Sequence, residues 1–117
     1  MQKISGLGGV FFRAQNPEKL SKWYEENFGI TSDASGTPWQ QEAGLTVFAP
    51  FSRDNDYFPT KQSIMFNFRV SDLEAFLEQL KKNDVKIDEK RQNESYGKFA
   101  WVYDPEGNKI ELWEPIQ

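Results

Sequence analysis

The amino-acid sequence predicts a small α+β protein built from two copies of one strand-helix-strands unit. Two observations lead there. Each half holds an apolar run followed by a capped amphipathic helix, and the halves align with one another. Laying Val10–Leu20 over Phe66–Phe76, an offset of 56 residues, matches Phe12 with Phe68, Arg13 with Arg69 and Glu18 with Glu74. The shared order of elements makes duplication a better explanation of these identities than chance. A chain of 117 residues suits one hydrophobic core rather than two.

The first apolar run is Gly8 to Ala14. Asn16 then caps a helix with Pro17 at its first position, and the helix continues through Lys19 to Asn27. Leu20, Trp23, Tyr24 and Phe28 fall on one stripe, and Gly29 is the stop. From Thr31 to Pro50 the pattern reads as strands broken at Ser35-Gly36 and at Glu42-Ala43-Gly44, the clearest being Leu45 to Ala49; a loop, Phe51 to Gln62, follows. In the second half Ser63 to Val70 reads as a strand and Ser71 or Asp72 as a cap. Leu73, Phe76, Leu77 and Leu80 form the next helical stripe, which Asn83 and Asp84 end. A short strand around Val85 to Ile87 leads into a polar stretch. Lys98 to Tyr103 and Lys109 to Glu114 then flank Asp104-Pro105-Glu106-Gly107-Asn108, a strong hairpin signal.

Composition narrows the chemistry. The chain has no His and no Cys, so disulfides, thiol nucleophiles and the usual ligands of zinc, copper or non-haem iron are excluded. Ten Phe and four Trp are more aromatic surface than packing alone requires in so small a domain, which points to a lined cavity. The net charge is −4 and the basic residues are scattered, so nucleic acid is not an expected partner. No stretch reaches the length of a membrane span and no signal-peptide run opens the sequence, so a cytoplasmic location is expected.

Four stretches carry a resemblance: Gly9 to Ala14; Trp23-Tyr24-Glu25-Glu26-Asn27-Phe28-Gly29; Phe68-Arg69-Val70-Ser71-Asp72-Leu73; and Asp104-Pro105-Glu106-Gly107-Asn108-Lys109-Ile110-Glu111-Leu112. Together they resemble the glyoxalase, bleomycin-resistance and extradiol-dioxygenase superfamily, the vicinal oxygen chelate proteins. The resemblance implies two βαβββ modules, about 1–58 and about 59–117, whose curved mixed sheets surround a cleft, usually in a homodimer. Metal-binding members carry ligands on the first and last strands of each module. Those slots fall on Gly9, Met65, Glu111 and, with the least certain registration, a position near Val47. Only Glu111 bears a ligand, so neither a metal nor another cofactor is expected.

Strand alternation then assigns faces. With Glu111 toward the cleft, Lys109 and Trp113 share its side while Ile110 and Leu112 face the helices. Phe11 and Arg13 on the first strand, Met65, Asn67 and Arg69 on its counterpart, and Phe99, Trp101 and Tyr103 on the penultimate strand are assigned to the cleft with Val47. Two readings of Glu111 stay open: a functional carboxylate, or a structural ion pair with Arg13 or Arg69. The aromatics taken singly are ordinary core residues; as a set on one face they favour a pocket. Glu42 and Glu25-Glu26 read as solvated surface; the loop with Asp54, Asp56, Tyr57 and Phe58 reads equally as a solvent loop or as one whose two aromatics close over a ligand.

The function expected is metal-independent binding of a small apolar or aromatic molecule by a homodimer, since the curved apolar sheets exceed what one chain can cover. The alternative is a glyoxalase-like lyase or isomerase with Glu111 as general base and Arg13 or Arg69 as electrophile. A structural or protein-interaction module is disfavoured, because it has no need of an aromatic cleft. Equivalent positions of the two arginines on duplicated strands favour a neutral or anionic ligand.

Overall fold

The computed structural model describes residues 1–31 and 38–116; the Ser35-Gly36 break lies outside them. The first helix, α1, spans Pro17–Phe28. The Asn16 side chain accepts the Lys19 amide at 3.1 Å, and Gly29 closes the helix in the left-handed region at φ 71°, where its amide reaches the Glu25 carbonyl at 3.0 Å. A residue with a Cβ is strained there, so glycine suits the stop. The second helix, α2, spans Leu73–Lys82 and is capped by Asp72, which accepts the Ala75 amide at 3.0 Å. The two helices begin 56 residues apart, the offset at which the halves align.

Four strands, β1 (Asn67–Arg69), β2 (Lys86–Glu94), β3 (Gly97–Tyr103) and β4 (Lys109–Pro115), form one mixed sheet in the order β1-β4-β3-β2. β1 runs parallel to β4 with Asn67 opposite Glu111; β2, β3 and β4 are antiparallel, with Trp101 opposite Glu111. The β3–β4 turn is held by Asp104. Its Oδ1 accepts the Glu106 and Asn108 amides, and its buried Oδ2 accepts Asn108 Nδ2 at 2.7 Å and the Tyr24 hydroxyl at 2.8 Å. Two residues further on, the Glu106 carboxylate accepts the amides of Gln15 and Asn16 at 2.7 and 3.0 Å. A turn of the second half thereby satisfies backbone donors where the helix of the first half begins.

The core lies between the helices and one face of the sheet. Leu20 and Tyr24 of α1 meet Leu73, Leu77 and Leu80 of α2 over Ala100, Val102, Ile110 and Leu112. Phe28 lies against Phe68 and Phe76, and Phe12 against Tyr24 and Phe66. The alternation on β3 and β4 is as expected: the smaller residues turn to the helices and the aromatics to the opposite face.

Three expectations need correction. Gly8 to Ala14 and Leu45 to Ala49 are not strands among the described residues: alternation marks a segment able to pair, but a strand also needs a neighbouring backbone, and none is supplied here. The strand expected over Ser63 to Val70 shortens to Asn67–Arg69. Conversely, β2 runs on to Glu94 through the polar stretch, because an edge strand tolerates polar side chains along its solvated length.

Candidate ligand-binding site

On the face of the sheet away from the helices, a cavity of about 610 Å³ opens between β3, β4, the 47–51 segment and the loop that carries Tyr57 and Phe58. Six residues assigned to the cleft line it: Val47, Met65, Asn67, Phe99, Glu111 and Trp113. Phe99 and Trp113 lie parallel, with ring centroids 6.2 Å apart. Trp113 is fixed by its indole N–H, which donates to the Tyr96 carbonyl at 3.1 Å. Gly97 makes room for it, because a Cβ at this position (φ 147°) would overlap both Trp113 Nε1 and the Glu114 carbonyl.

Among the described residues Glu111 is the one charged residue in the lining, and it is 8% exposed. Its Oε1 accepts Asn67 Nδ2 at 2.7 Å; its Oε2 accepts Trp101 Nε1 at 3.1 Å and the hydroxyl of Tyr57. Three neutral donors thus satisfy the buried carboxylate, as a buried charge requires. Desolvation first, then the hydrogen bond and the negative charge of Glu111, push the Tyr57 phenol well above its ordinary value. The loop is tied down further: Lys109 Nζ donates to the Tyr57 carbonyl at 3.0 Å, and the Gln62 amide bonds both the amide and the carbonyl of Lys109 at 2.9 Å.

The other assigned residues lie elsewhere. Trp101, 1% exposed, sits beside Glu111 and edge-on to Tyr57. Tyr103 donates to Asp88 at 2.8 Å. Phe11 and Arg13 are exposed and do not line the cavity. Arg69 donates to the Leu45 carbonyl and, at 2.9 Å, to that of Glu42. The structural ion pair considered for Glu111 is therefore replaced by the three neutral donors, and the two arginines, equivalent in sequence, differ in surroundings. Tyr57, Phe51 and Tyr96 were not among the assigned residues. The aromatic loop after Pro50 was the available signal for Tyr57, but its partner, Glu111, stands 54 residues away.

The four positions onto which the resemblance carries metal ligands do not fit a metal. Gly9, Val47 and Met65 offer no hard ligand, and both oxygens of Glu111 already accept hydrogen bonds. Among the described residues no group of three acidic side chains is placed to hold an ion.

Two helices on one face of a mixed sheet and an aromatic cavity on the other define a glyoxalase-like α+β domain. The chain belongs to the Glyoxalase/Bleomycin resistance protein/Dioxygenase superfamily, whose model matches residues 6–112. It is similar to the crystal structure of TnmS3, an antibiotic binding protein from Streptomyces sp. CB03234, at 26% identity, covering 99% of this chain and 100% of that one, with a TM-score of 0.67. A glyoxalase/bleomycin resistance protein from the same organism is 27% identical over 86% of this chain and 92% of its own, with a TM-score of 0.54. Lactoylglutathione lyase from Agrobacterium tumefaciens, 17% identical, shares the fold over 97% of this chain and 96% of its own (TM-score 0.59). No curated protein matches the sequence.

Proposed function

We propose that this chain is a metal-independent binding protein for a small apolar or aromatic molecule, held in the cavity between Phe99, Trp113 and the Tyr57 loop. The observation that carries this reading is the floor of the cavity, a buried carboxylate whose oxygens already hold three donors beneath an aromatic lining. Binding requires only such a complementary surface. The likeness to an antibiotic binding protein supports the same reading.

The lyase or isomerase alternative needs Glu111 as general base and an arginine as electrophile. Glu111 is engaged by protein donors, and Arg69 is committed to the carbonyls of Leu45 and Glu42, so the arrangement favours binding over turnover. A titration with polycyclic aromatics, run beside turnover assays on hemithioacetals and epoxides with and without added metals, tests the choice. Saturable binding without turnover is the expected result; turnover abolished in Glu111→Gln overturns it.

The working form is a cytoplasmic homodimer of chains with two modules each, about 1–58 and about 59–117. Apolar side chains of the first module support this: Phe11, Leu45 and Phe48 are 98%, 76% and 85% exposed in the single chain, and a second chain would cover them. Sedimentation equilibrium should give twice the chain mass of 13.6 kDa, and Phe48→Glu should shift it to the monomer.

A further inference from the structure

β2 departs from regular pairing at one place. Ile87 pairs with Val102 and Arg91 with Ala100, so Asp88, Glu89 and Lys90 all stand opposite Trp101. Such a bulge breaks the two-residue alternation and re-aims side chains. Asp88 builds it: Oδ1 accepts the Lys90 amide at 2.9 Å and Oδ2 the Tyr103 hydroxyl at 2.8 Å. Lys90 Nζ comes to lie over the Trp101 ring, 5.2 Å from its centroid. Lys109 Nζ lies 5.6 Å from the same centroid, and Lys86 Nζ is 4.8 Å from that of Tyr103. Three ammonium groups therefore share one aromatic strip, with the Asp88 carboxylate close to Lys90 and Lys109. Glu111 meets the same indole through its N–H and is occupied by its own donors. The strip borders the cavity: Tyr57, a lining residue, packs edge-on to Trp101 at 6.1 Å, and Gln92, two residues beyond Lys90, is in the lining too.

We propose that this bulge makes an anion subsite, in which Lys86, Lys90 and Lys109 receive the carboxylate, sulfonate or phosphate of an aromatic ligand whose rings fill the cavity. The proposal rests on the binding function given above and adds the ligand's charge to it. Positive charge beside the cleft thus comes from lysines on β2 and β4, not from Arg13 and Arg69. Ammonium groups attract an acid without demanding a fixed bidentate geometry, and partly exposed charges make that attraction sensitive to salt.

Fluorescence titration of the full chain with anthracene-2-carboxylate and its uncharged carboxamide separates the two parts of the site. The carboxylate should bind about tenfold more tightly at low salt, the scale on which local charge complementarity acts, and Lys90→Gln should remove most of that preference without weakening carboxamide binding. Lys22→Gln, which alters a lysine paired with Glu26 on α1, should change neither. Equal affinity for the two probes, or a Lys90→Gln loss shared equally by both, overturns the subsite and leaves the aromatic cavity standing. Binding of neither probe overturns the cavity reading and the subsite with it.

Discussion

The hydroxyl of Tyr57 donates to Glu111 Oε2 across 54 residues of chain, joining the loop over the cavity to the strand beneath it. The bond stabilises the neutral phenol in the folded state. Since the folded pKa of Tyr57 is raised, its contribution is fully present below about pH 10, where an unfolded tyrosine ionises. It is lost as pH rises beyond that value, because the unfolded chain releases the proton first. Urea midpoints measured from pH 8 to 11 should therefore fall above pH 10, and less steeply in Tyr57→Phe. Glu111→Gln places an amide where three donors converge and should cost about 1–3 kcal/mol, read from the same curves at pH 8.

Tyr24 and Asp104 form a second buried pair, between α1 and the β3–β4 turn. Tyr24→Phe removes one of the four hydrogen bonds to the Asp104 carboxylate and leaves the ring in place, so a loss of about 1 kcal/mol is expected. Thermal unfolding should shift by about 3–6 °C at this chain length. The Tyr24 phenol is likewise raised, by burial first and Asp104 second, so this variant should also flatten the alkaline fall in stability. An unchanged melting temperature would mean that the turn and helix are not coupled through this bond.

Gly97→Ala tests the close approach behind Trp113. The added Cβ meets Trp113 Nε1 and the Glu114 carbonyl at a φ of 147°, which non-glycine residues rarely adopt. A loss of about 2–3 kcal/mol is expected from overpacking and strain together, with a changed near-ultraviolet signal from the displaced indole. A folded variant with wild-type stability and spectrum would show that the strand shifts freely there.

Elemental analysis of untagged protein after dialysis should find well under one equivalent of zinc, nickel, manganese or iron, since Gly9 and Met65 fall where the family resemblance implies metal ligands and neither side chain can serve as one. About one metal per chain would require ligands outside the four positions considered.

Much of this arrangement is legible in the sequence because it depends on local periodicity. Helix bounds follow from Asn16, Gly29 and the Ser71-Asp72 pair, of which the structure selects Asp72, and the burial of Ile110 and Leu112 follows from period two on a strand with neighbours on both sides. Legibility ends where a remote partner decides. Alternation places Arg69 on a face, but the carbonyls of Glu42 and Leu45 decide where its long side chain ends. Gly8 to Ala14 has the pattern of a strand and no backbone to pair with among the described residues. The bulge at Asp88 breaks the very period by which faces are assigned, so Lys90 over Trp101 could not be anticipated.

The carboxylate of Glu106 at the start of α1 has a bearing on synthesis at the ribosome. As the chain emerges, the amides of Gln15 and Asn16 are in water, and the residue that receives them is translated 91 and 90 residues later. The start of α1 is thus completed by a turn of the second half. These two bonds therefore form only after the second half has been made and folds back upon α1.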